Sequence, residues 1–280
     1  MRSLLPKKID EIPDCLAQMT EKSCVIGGGT DLIIKMRMGL VIPDSLCYLG
    51  QVKELKEIRY EEDRLIIGAY ATMTEIEKNE TVRQIYPALM DAASDIGSLQ
   101  IRNNATIGGN IGNASPAGDL LPVLYLYDAE IEIMGPEGSR IAPIDQVLAG
   151  PGKLHLSHNE AIVRVIIPKP EMKYTGFVKL GSRKKVTISR IGIALGLNME
   201  GDHVADMRMF VGAIGLKPVR FADAEELTRG RVLNEPNIMD IAEILSQYVK
   251  NNVAKEFDRD YKVYAARGAV ADAFQRLKRN

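Results

Sequence analysis

The sequence is poor in cysteine, in excess charge of either sign and in long apolar runs. Its three cysteines, Cys15, Cys24 and Cys47, match neither a Cys-x-x-Cys pair nor a Cys/His zinc pattern, so no metal site is expected. An odd cysteine count without a disulfide framework favours a reducing compartment. The 36 basic residues are balanced by 37 acidic ones, which argues against a nucleic-acid-binding protein.

Long apolar segments are also missing. The opening MRSLLPKKIDEIPD is interrupted by charges and prolines before it reaches the length of a signal-peptide core. No run of about 18 apolar residues occurs, so no membrane span is expected. The expectation is therefore a protein of the cytoplasm.

The first part of the chain alternates between helical and strand-like patterns. Residues 9–22 predict an amphipathic helix, and residues 23–26 predict a short strand that ends at three glycines. A helix over 31–38 and a strand over 45–49 follow, with Gly39 as the predicted end of the helix. Such a strand–loop–helix–strand unit suits a small parallel sheet.

The rest of the chain predicts a second kind of architecture. Residues 107–122, rich in Gly, Asn, Ser and Pro, predict irregular structure. The prolines of 168–171 mark a domain boundary. An antiparallel meander is expected beyond it, then a helix that begins near Pro236 and a last helix over about 260–279. The further predicted strands cover 64–68, 129–134, 161–167, 176–180, 191–199 and 207–214.

The first chemical signal is the segment Val25-Ile-Gly-Gly-Gly-Thr-Asp-Leu32, where a strand passes through glycines into a helix. Glycines let an anion approach the main chain, and a helix start adds free N–H groups and a positive dipole end. The segment therefore predicts a phosphate site. Leu32 stands where a GxGxxG motif needs glycine, and no Gly-Lys-Ser/Thr follows, so the two familiar nucleotide motifs are excluded. A tight turn without a ligand remains the alternative.

A second glycine segment extends from Gln100 to Asp119 and places Thr106, Gly108, Gly109 and Asn110 close together. Its many main-chain donors need partners, and a polar ligand would supply them. A loop that satisfies itself through Asx turns is the alternative. Two such segments in one chain favour the ligand.

The two segments, IGGGTDL and QIRNNATIGGNIGNASPAGDLLPVL, together resemble the FAD-binding subunit of the xanthine dehydrogenase and carbon monoxide dehydrogenase family, the molybdenum hydroxylases. The likeness continues through IVRVIIP, FVKLGSRKKVTISRIGIALG and Asp260-Tyr-Lys, and so covers nearly the whole chain. It implies an α+β fold: a bipartite FAD-binding domain of the vanillyl-alcohol-oxidase type over residues 1–170, with two subdomains that divide near 50–60. Residues 171–280 would form an antiparallel sheet with a helical bundle.

The resemblance also implies the cofactor contacts. The first loop would wrap the FAD diphosphate, with Leu32 against the flavin ring, and the TIGGN block would add contacts. Asp119 would contact the adenosine portion, Ile162 would line the site, and Lys179 would stabilise negative charge on reduced flavin. A solvated strand lysine is the alternative for Lys179. The implied set is Val25, Ile26, Gly27, Gly28, Gly29, Thr30, Asp31, Leu32, Thr106, Ile107, Gly108, Gly109, Asn110, Asp119, Ile162 and Lys179.

Two departures from the family pattern matter. Animal members have an aromatic residue where this chain has Ile96, so ring stacking is not expected there. A benzoyl-CoA reductase branch carries an extra iron–sulfur cluster in a cysteine-rich insertion, which three scattered cysteines do not supply.

The function implied is electron transfer within a multi-subunit hydroxylase. A molybdopterin-binding large subunit would hydroxylate the substrate, and a 2Fe-2S small subunit would pass electrons to this FAD and on to NAD(P) or a similar acceptor. The first hypothesis for the reaction of the complex is hydroxylation of a purine or another N-heterocycle. The alternative is that the chain is the medium subunit of a carbon monoxide or aldehyde dehydrogenase. A self-contained flavin oxidoreductase and a non-catalytic nucleotide-binding protein are further alternatives. No His dyad, carboxylate pair or Ser-His-Asp set suggests acid–base catalysis on this chain.

Overall fold

The computed structural model of the chain describes residues 1–254 and 258–277, which form two compact units. The first unit consists of Met1–Asn79, Ser98–Ser115 and Asp128–Lys169. The second consists of Glu80–Gly97, Pro116–Tyr127 and Pro170–Asn280. The predicted domain boundary at residue 170 stays a prediction, because each compact unit draws on several segments of the chain.

The strands form a parallel sheet, a five-stranded antiparallel sheet and a two-stranded ribbon in the first unit, and a four-stranded antiparallel sheet in the second. The strands are β1 (Arg2–Leu4), β2 (Cys24–Val25), β3 (Ser45–Cys47), β4 (Ile58–Glu61), β5 (Arg64–Gly68), β6 (Glu130–Gly135), β7 (Gly138–Pro143), β8 (Leu148–Gly150), β9 (Lys153–Leu154), β10 (Ala161–Pro168), β11 (Tyr174–Gly181), β12 (Ser189–Glu200), β13 (His203–Gly212) and β14 (Val219–Arg220).

The helices are short in the first unit and long only at the end of the second. Among the described residues, none of them combines the length and the hydrophobicity that a membrane span requires. The helices are α1 (Ile12–Ala17), α2 (Leu32–Arg37), α3 (Met73–Lys78), α4 (Glu80–Ile85), α5 (Pro87–Asp95), α6 (Leu99–Arg102), α7 (Ile107–Asn113), α8 (Leu120–Leu126), α9 (Ile144–Val147), α10 (Ala222–Thr228), α11 (Glu235–Asn252) and α12 (Arg259–Leu277), with 3-10 turns at Ile9–Glu11 and Lys53–Lys56.

The small sheet of the first unit has the order β1-β3-β2, and both of its strand pairs are parallel. The prediction of a parallel strand–loop–helix–strand unit is therefore confirmed. Helix α2 ends before Gly39, whose φ of +69° is the left-handed conformation that a glycine after a helix commonly adopts. The helix predicted over 9–22 is wrong in extent, because a 3-10 turn occupies its start and α1 ends at Ala17.

The five-stranded sheet of the first unit has the order β4-β5-β10-β6-β7. Its middle strand, β10, is buried along almost its whole length, whereas β6 alternates between buried and half-buried residues. A central strand that is covered on both faces shows a continuous apolar run, as β10 does. Helix α7 packs against this strand and is thereby held in a fixed position.

The prediction of irregular structure over 107–122 is wrong. Residues 107–113 form α7, and α8 begins at Leu120. Glycine lowers intrinsic helix propensity, but packing overrides propensity when apolar residues repeat at helical spacing. Ile107 and Ile111, four positions apart, are both fully buried in α7.

The second unit carries an antiparallel sheet of order β11-β12-β13-β14, against which α11 and α12 pack. Helix α11 has Pro236 in its first turn and buries Ile241, Leu245 and Val249 at a spacing of four. The predicted meander and the helix after it are thus confirmed. The last predicted helix is confirmed up to Leu277, and its predicted end at residue 279 lies outside the described residues.

Candidate diphosphate site and a buried ion pair

The first glycine loop connects β2 to α2 and presents a row of main-chain donors. The main-chain N–H groups of residues 27–31 have no acceptor within the part of the chain that the structure describes. Consecutive main-chain donors without protein acceptors can bind one anion together. Because α2 has only six residues, we expect these N–H groups to contribute more to anion binding than the dipole of the helix.

The second motif begins α7. Thr106, which is 5% exposed, caps the helix by accepting a hydrogen bond of 3.1 Å from the Gly109 N–H through its Oγ1. The N–H groups of Ile107 and Gly108 donate to the carbonyls of Ala71 and Ala69, at 3.0 and 2.9 Å. These hydrogen bonds hold the start of the TIGGN backbone against residues 69–71, which follow β5 directly.

The two glycine motifs lie against each other in the first unit. A Cβ atom added to Gly27 would lie 2.7 Å from Thr106 Oγ1 and 3.4 Å from the Gly109 Cα. A Cβ atom added to Gly28 would overlap the carbonyl of Asn104. Glycine is thus required at 27 and 28 for close approach of two backbones, whereas Gly29, with a φ of +72°, is required for its conformation.

An unsatisfied buried atom marks the same region. Asn110 Oδ1 is buried and has no hydrogen-bond partner. Buried polar atoms are nearly always paired, so an unpaired one beside a row of free donors indicates a polar ligand. Lys35 Nζ of α2 also donates to Asn113 Oδ1 of α7 at 2.8 Å, a hydrogen bond that links the two helices.

The remaining predicted residues of the first unit have apolar surroundings. Ile162 is 8% exposed on β10 and pairs with Ile133 of β6, next to an irregularity of register at residues 162–164. Leu32 opens α2 and is half-buried. Both positions can offer an apolar surface to a ligand.

Tyr70 contacts the first glycine loop and was not singled out in the sequence. Its hydroxyl donates to the Ile26 carbonyl at 2.5 Å and accepts from the Leu49 N–H at 3.1 Å. Burial raises the pKa of this phenol well above its usual value, so the group remains a neutral donor. A single tyrosine after a strand gives no signal in the sequence, and only the folded structure brings it to the glycine loop.

Asp119 and Lys179 meet in the second unit, where they are 6% and 8% exposed at their side chains. Lys179 Nζ lies 2.6 Å from Asp119 Oδ2 and donates to the Asp95 carbonyl at 3.1 Å. The Ser189 hydroxyl donates to the other Asp119 oxygen. The alternative of a solvated strand lysine at 179 is therefore wrong. Ser189 was not singled out in the sequence, because its contact spans 70 residues.

Burial shapes the charge balance of this cluster. Desolvation raises the pKa of the Asp119 carboxyl, while the ammonium of Lys179 and the hydroxyl of Ser189 oppose that rise. Burial likewise raises the pKa of Asp95, against the effect of Lys179. The buried lysine thus faces two carboxylates, and a further anion beside it would compete with them. Ile96 follows α5 directly and is 9% exposed, so it is an apolar residue of the interior.

The fold and the paired glycine motifs define an α+β protein that binds a diphosphate-bearing cofactor. Residues 1–170 match the family of the FAD-binding domain in molybdopterin dehydrogenase, and residues 177–277 match the CO dehydrogenase flavoprotein C-terminal domain. The chain belongs to this family of FAD-binding subunits of molybdenum hydroxylases, as the resemblance predicted. The α+β fold with its C-terminal sheet domain is confirmed as well.

The similarity to several relatives covers most of the chain. The nicotinate dehydrogenase FAD-subunit of Eubacterium barkeri is 36% identical over 236 residues, 81% of this chain and 79% of that protein. The xanthine dehydrogenase FAD-binding subunit of Escherichia coli O157:H7 is 30% identical over 86% of this chain and 83% of its own length. A chain of quinoline 2-oxidoreductase from Pseudomonas putida 86 shares the fold, with a TM-score of 0.92 at 23% identity over 100% of this chain and 97% of that one.

Proposed function

We propose that the chain holds FAD by its diphosphate on residues 27–31 and relays electrons within a molybdenum hydroxylase. The observation that carries the proposal is the row of unpaired main-chain N–H groups packed against the TIGGN motif. A diphosphate accepts several such hydrogen bonds at once, and the chain belongs to an FAD-binding family.

The other cofactor contacts are part of the proposal. Thr30 would add a hydroxyl donor, and Asn110 would accept a hydrogen bond from the cofactor through its unpaired amide oxygen. Leu32 and Ile162 would present apolar surface to the ring system. Asp119 and Lys179 are proposed as further FAD contacts: the carboxylate retains lone pairs for sugar or ring donors, and the ammonium offers positive charge. FAD, when bound, supplies the redox chemistry, whereas the residues of the chain bind and orient it.

The partners follow from the family. We expect the chain to assemble with a molybdopterin-binding large subunit and a 2Fe-2S small subunit in the cytoplasm, with residues 1–170 as the FAD-binding domain and 171–280 as the C-terminal domain. NAD(P) is the proposed acceptor. Three consecutive exposed cations, Arg183, Lys184 and Lys185, follow Lys179 in the connection from β11 to β12, and they favour an anionic acceptor of this kind.

The proposed substrate of the complex is an aromatic nitrogen heterocycle, with purine first. The xanthine dehydrogenase relative supports a purine. The nicotinate dehydrogenase relative, at 36% identity, supports nicotinate as the other candidate. The substrate pocket would lie on the large subunit, so residues of this chain do not discriminate between the two.

Purification and titration test the proposal. The chain is expected to bind FAD with about 1:1 stoichiometry, to co-purify with the two partner subunits, and to be reduced by NADH under anaerobic conditions. The complex should then oxidise xanthine or nicotinate, but not carbon monoxide or an aldehyde. A colourless chain that takes up no FAD on titration would refute the cofactor assignment. Turnover of a substrate by the chain alone would instead indicate a self-contained oxidoreductase.

A further inference from the structure

Three consecutive residues, Ala69, Tyr70 and Ala71, contact both glycine motifs. The carbonyls of the two alanines accept hydrogen bonds from the N–H groups at the start of α7, and the phenol of the tyrosine donates to the residue just before the first glycine triplet. The segment is itself held in place by Leu55, whose carbonyl accepts a hydrogen bond of 2.8 Å from the Tyr70 N–H. It therefore sets the position of one motif with its backbone and of the other with a side chain.

The phenol of Tyr70 is held in a single place. The residue is 6% exposed, and its ring meets the Tyr48 ring edge-on, with centroids 5.7 Å apart and an interplanar angle of 79°. Its hydroxyl uses its one proton toward Ile26 and accepts from Leu49, so both of these partners depend on it. An aromatic side chain packed in this way does not leave its rotamer without breaking both hydrogen bonds.

The Ile26 carbonyl, which accepts the Tyr70 proton, is linked to the Gly27 N–H, a proposed donor to the cofactor. The Ile26 carbonyl and the Gly27 N–H belong to one planar trans peptide unit, so they point in opposite directions. By holding the carbonyl, Tyr70 directs the Gly27 N–H, the first of the unpaired row, away from its own hydroxyl. Glycine at 27 leaves this peptide unit free to rotate, which makes an external restraint effective.

We infer that Tyr70 is a positioning residue for the diphosphate of FAD, acting through the Ile26–Gly27 peptide unit. The inference rests on the proposed function, because it names the group that keeps the proposed diphosphate loop in its binding conformation. A loop whose donors are oriented in advance binds its ligand more tightly, since less conformational entropy is lost on binding.

A merely structural role would give a different result, and the chain offers a matched control. Tyr127 is a buried phenol of the second unit that also has two hydrogen bonds: it shares one of 2.6 Å with Thr175 Oγ1 and accepts one of 3.3 Å from the Ala88 N–H. Tyr70→Phe and Tyr127→Phe each remove one hydroxyl from the interior. Both are expected to lower the thermal midpoint of the protein without cofactor.

Cofactor affinity separates the two roles. In the full-length chain we expect Tyr70→Phe to raise the Kd of FAD and the Kd of ADP by the same factor, about 2- to 12-fold, the value of one hydrogen bond. ADP carries the diphosphate but no flavin, so a parallel loss places the effect on the diphosphate loop. Tyr127→Phe should leave both constants within about twofold.

The outcomes are distinct. A Tyr70→Phe protein that melts earlier but binds FAD and ADP like the natural chain would overturn the inference. A natural chain that binds no FAD would instead defeat the proposed function.

A second pair of variants is available if Tyr70→Phe does not fold. Tyr48→Leu removes the ring that packs against Tyr70 but leaves the Tyr70 hydroxyl in place. Tyr48→Phe, the control, keeps the ring at position 48. Tyr48→Leu is expected to weaken ADP binding by about 2- to 5-fold relative to Tyr48→Phe, because the phenol loses its lateral support. Equal ADP affinity of the two variants would count against the positioning role.

Discussion

Two of the three glycines of helix α7, Gly108 and Gly112, are expected to respond in opposite ways to substitution by alanine. A Cβ atom on Gly108 would lie 2.7 Å from the Ala69 Cβ and 2.8 Å from the Ala69 carbonyl oxygen. Neither atom is the end of a flexible side chain, so the backbone must shift and the hydrogen bond from Gly108 to Ala69 must lengthen. A Cβ atom on Gly112 would meet no atom within 4 Å.

The magnitudes follow from these contacts. Overpacking at a rigid contact costs about 1–3 kcal/mol, and the gain in helix propensity offsets up to about 1 kcal/mol of it. Gly108→Ala is therefore expected to lower the free energy of unfolding by about 1–2 kcal/mol. Gly112→Ala keeps only the propensity gain and is expected to raise it by about 0.5–1 kcal/mol. One kcal/mol corresponds to about 2–4 °C in Tm for a domain of this size class.

Thermal unfolding of the two variants, without and with FAD, is the assay. Gly108→Ala should melt earlier than the natural chain and bind FAD more weakly, because it displaces the start of the TIGGN motif. Gly112→Ala should melt slightly later and bind FAD with unchanged affinity. If Gly108→Ala proves at least as stable as Gly112→Ala, the close packing of α7 on residue 69 is not what requires glycine there.

Three further substitutions test other contacts. Gly28→Ala is expected to abolish FAD binding in a fluorescence titration, because its Cβ overlaps a main-chain carbonyl of the second motif. Ser189→Ala should lower the free energy of unfolding by about 1.5–3 kcal/mol in urea, since Asp119 loses a buried charge-assisted hydrogen bond. Arg140 holds the pKa of Glu160 below its ordinary value of 4.5. Glu160→Gln should cost about 0.3–1 kcal/mol at pH 7, and the difference should vanish as pH falls through the lowered pKa.

Each of these predictions has its own control. Gly112→Ala is the control for Gly28→Ala, because it adds the same methyl group at a position where that group meets no other atom. Ser139→Ala is the control for Ser189→Ala: it removes the hydroxyl of an exposed serine of β7 and should change the free energy of unfolding by no more than about 0.5 kcal/mol. For Glu160, the sign is decisive: a depressed pKa in the folded state means stability gained above the ordinary pKa and lost in acid. A Glu160→Gln deficit that grew at low pH would contradict the ion-pair assignment.

Local patterns in the sequence predicted several elements well. The apolar run of β10, the alternation of β6 and the glycine after α2 all have periods or end signals that need no distant partner. The glycine-rich residues 107–113 were predicted wrongly, because their helix depends on burial of Ile107 and Ile111 against other strands. Propensity is a local quantity, and this packing is not.

The sequence by itself determined the family and the cofactor class through its resemblance to known subunits. It also located the two glycine motifs, since a main-chain anion site needs glycines at neighbouring positions. Only the tertiary structure decided how these parts meet. It placed Gly27 against Thr106, brought Tyr70 to a carbonyl 44 residues away and paired Lys179 with Asp119 across 60 residues. Contacts of this kind arise from the packing of whole elements, and no pattern in neighbouring residues records them.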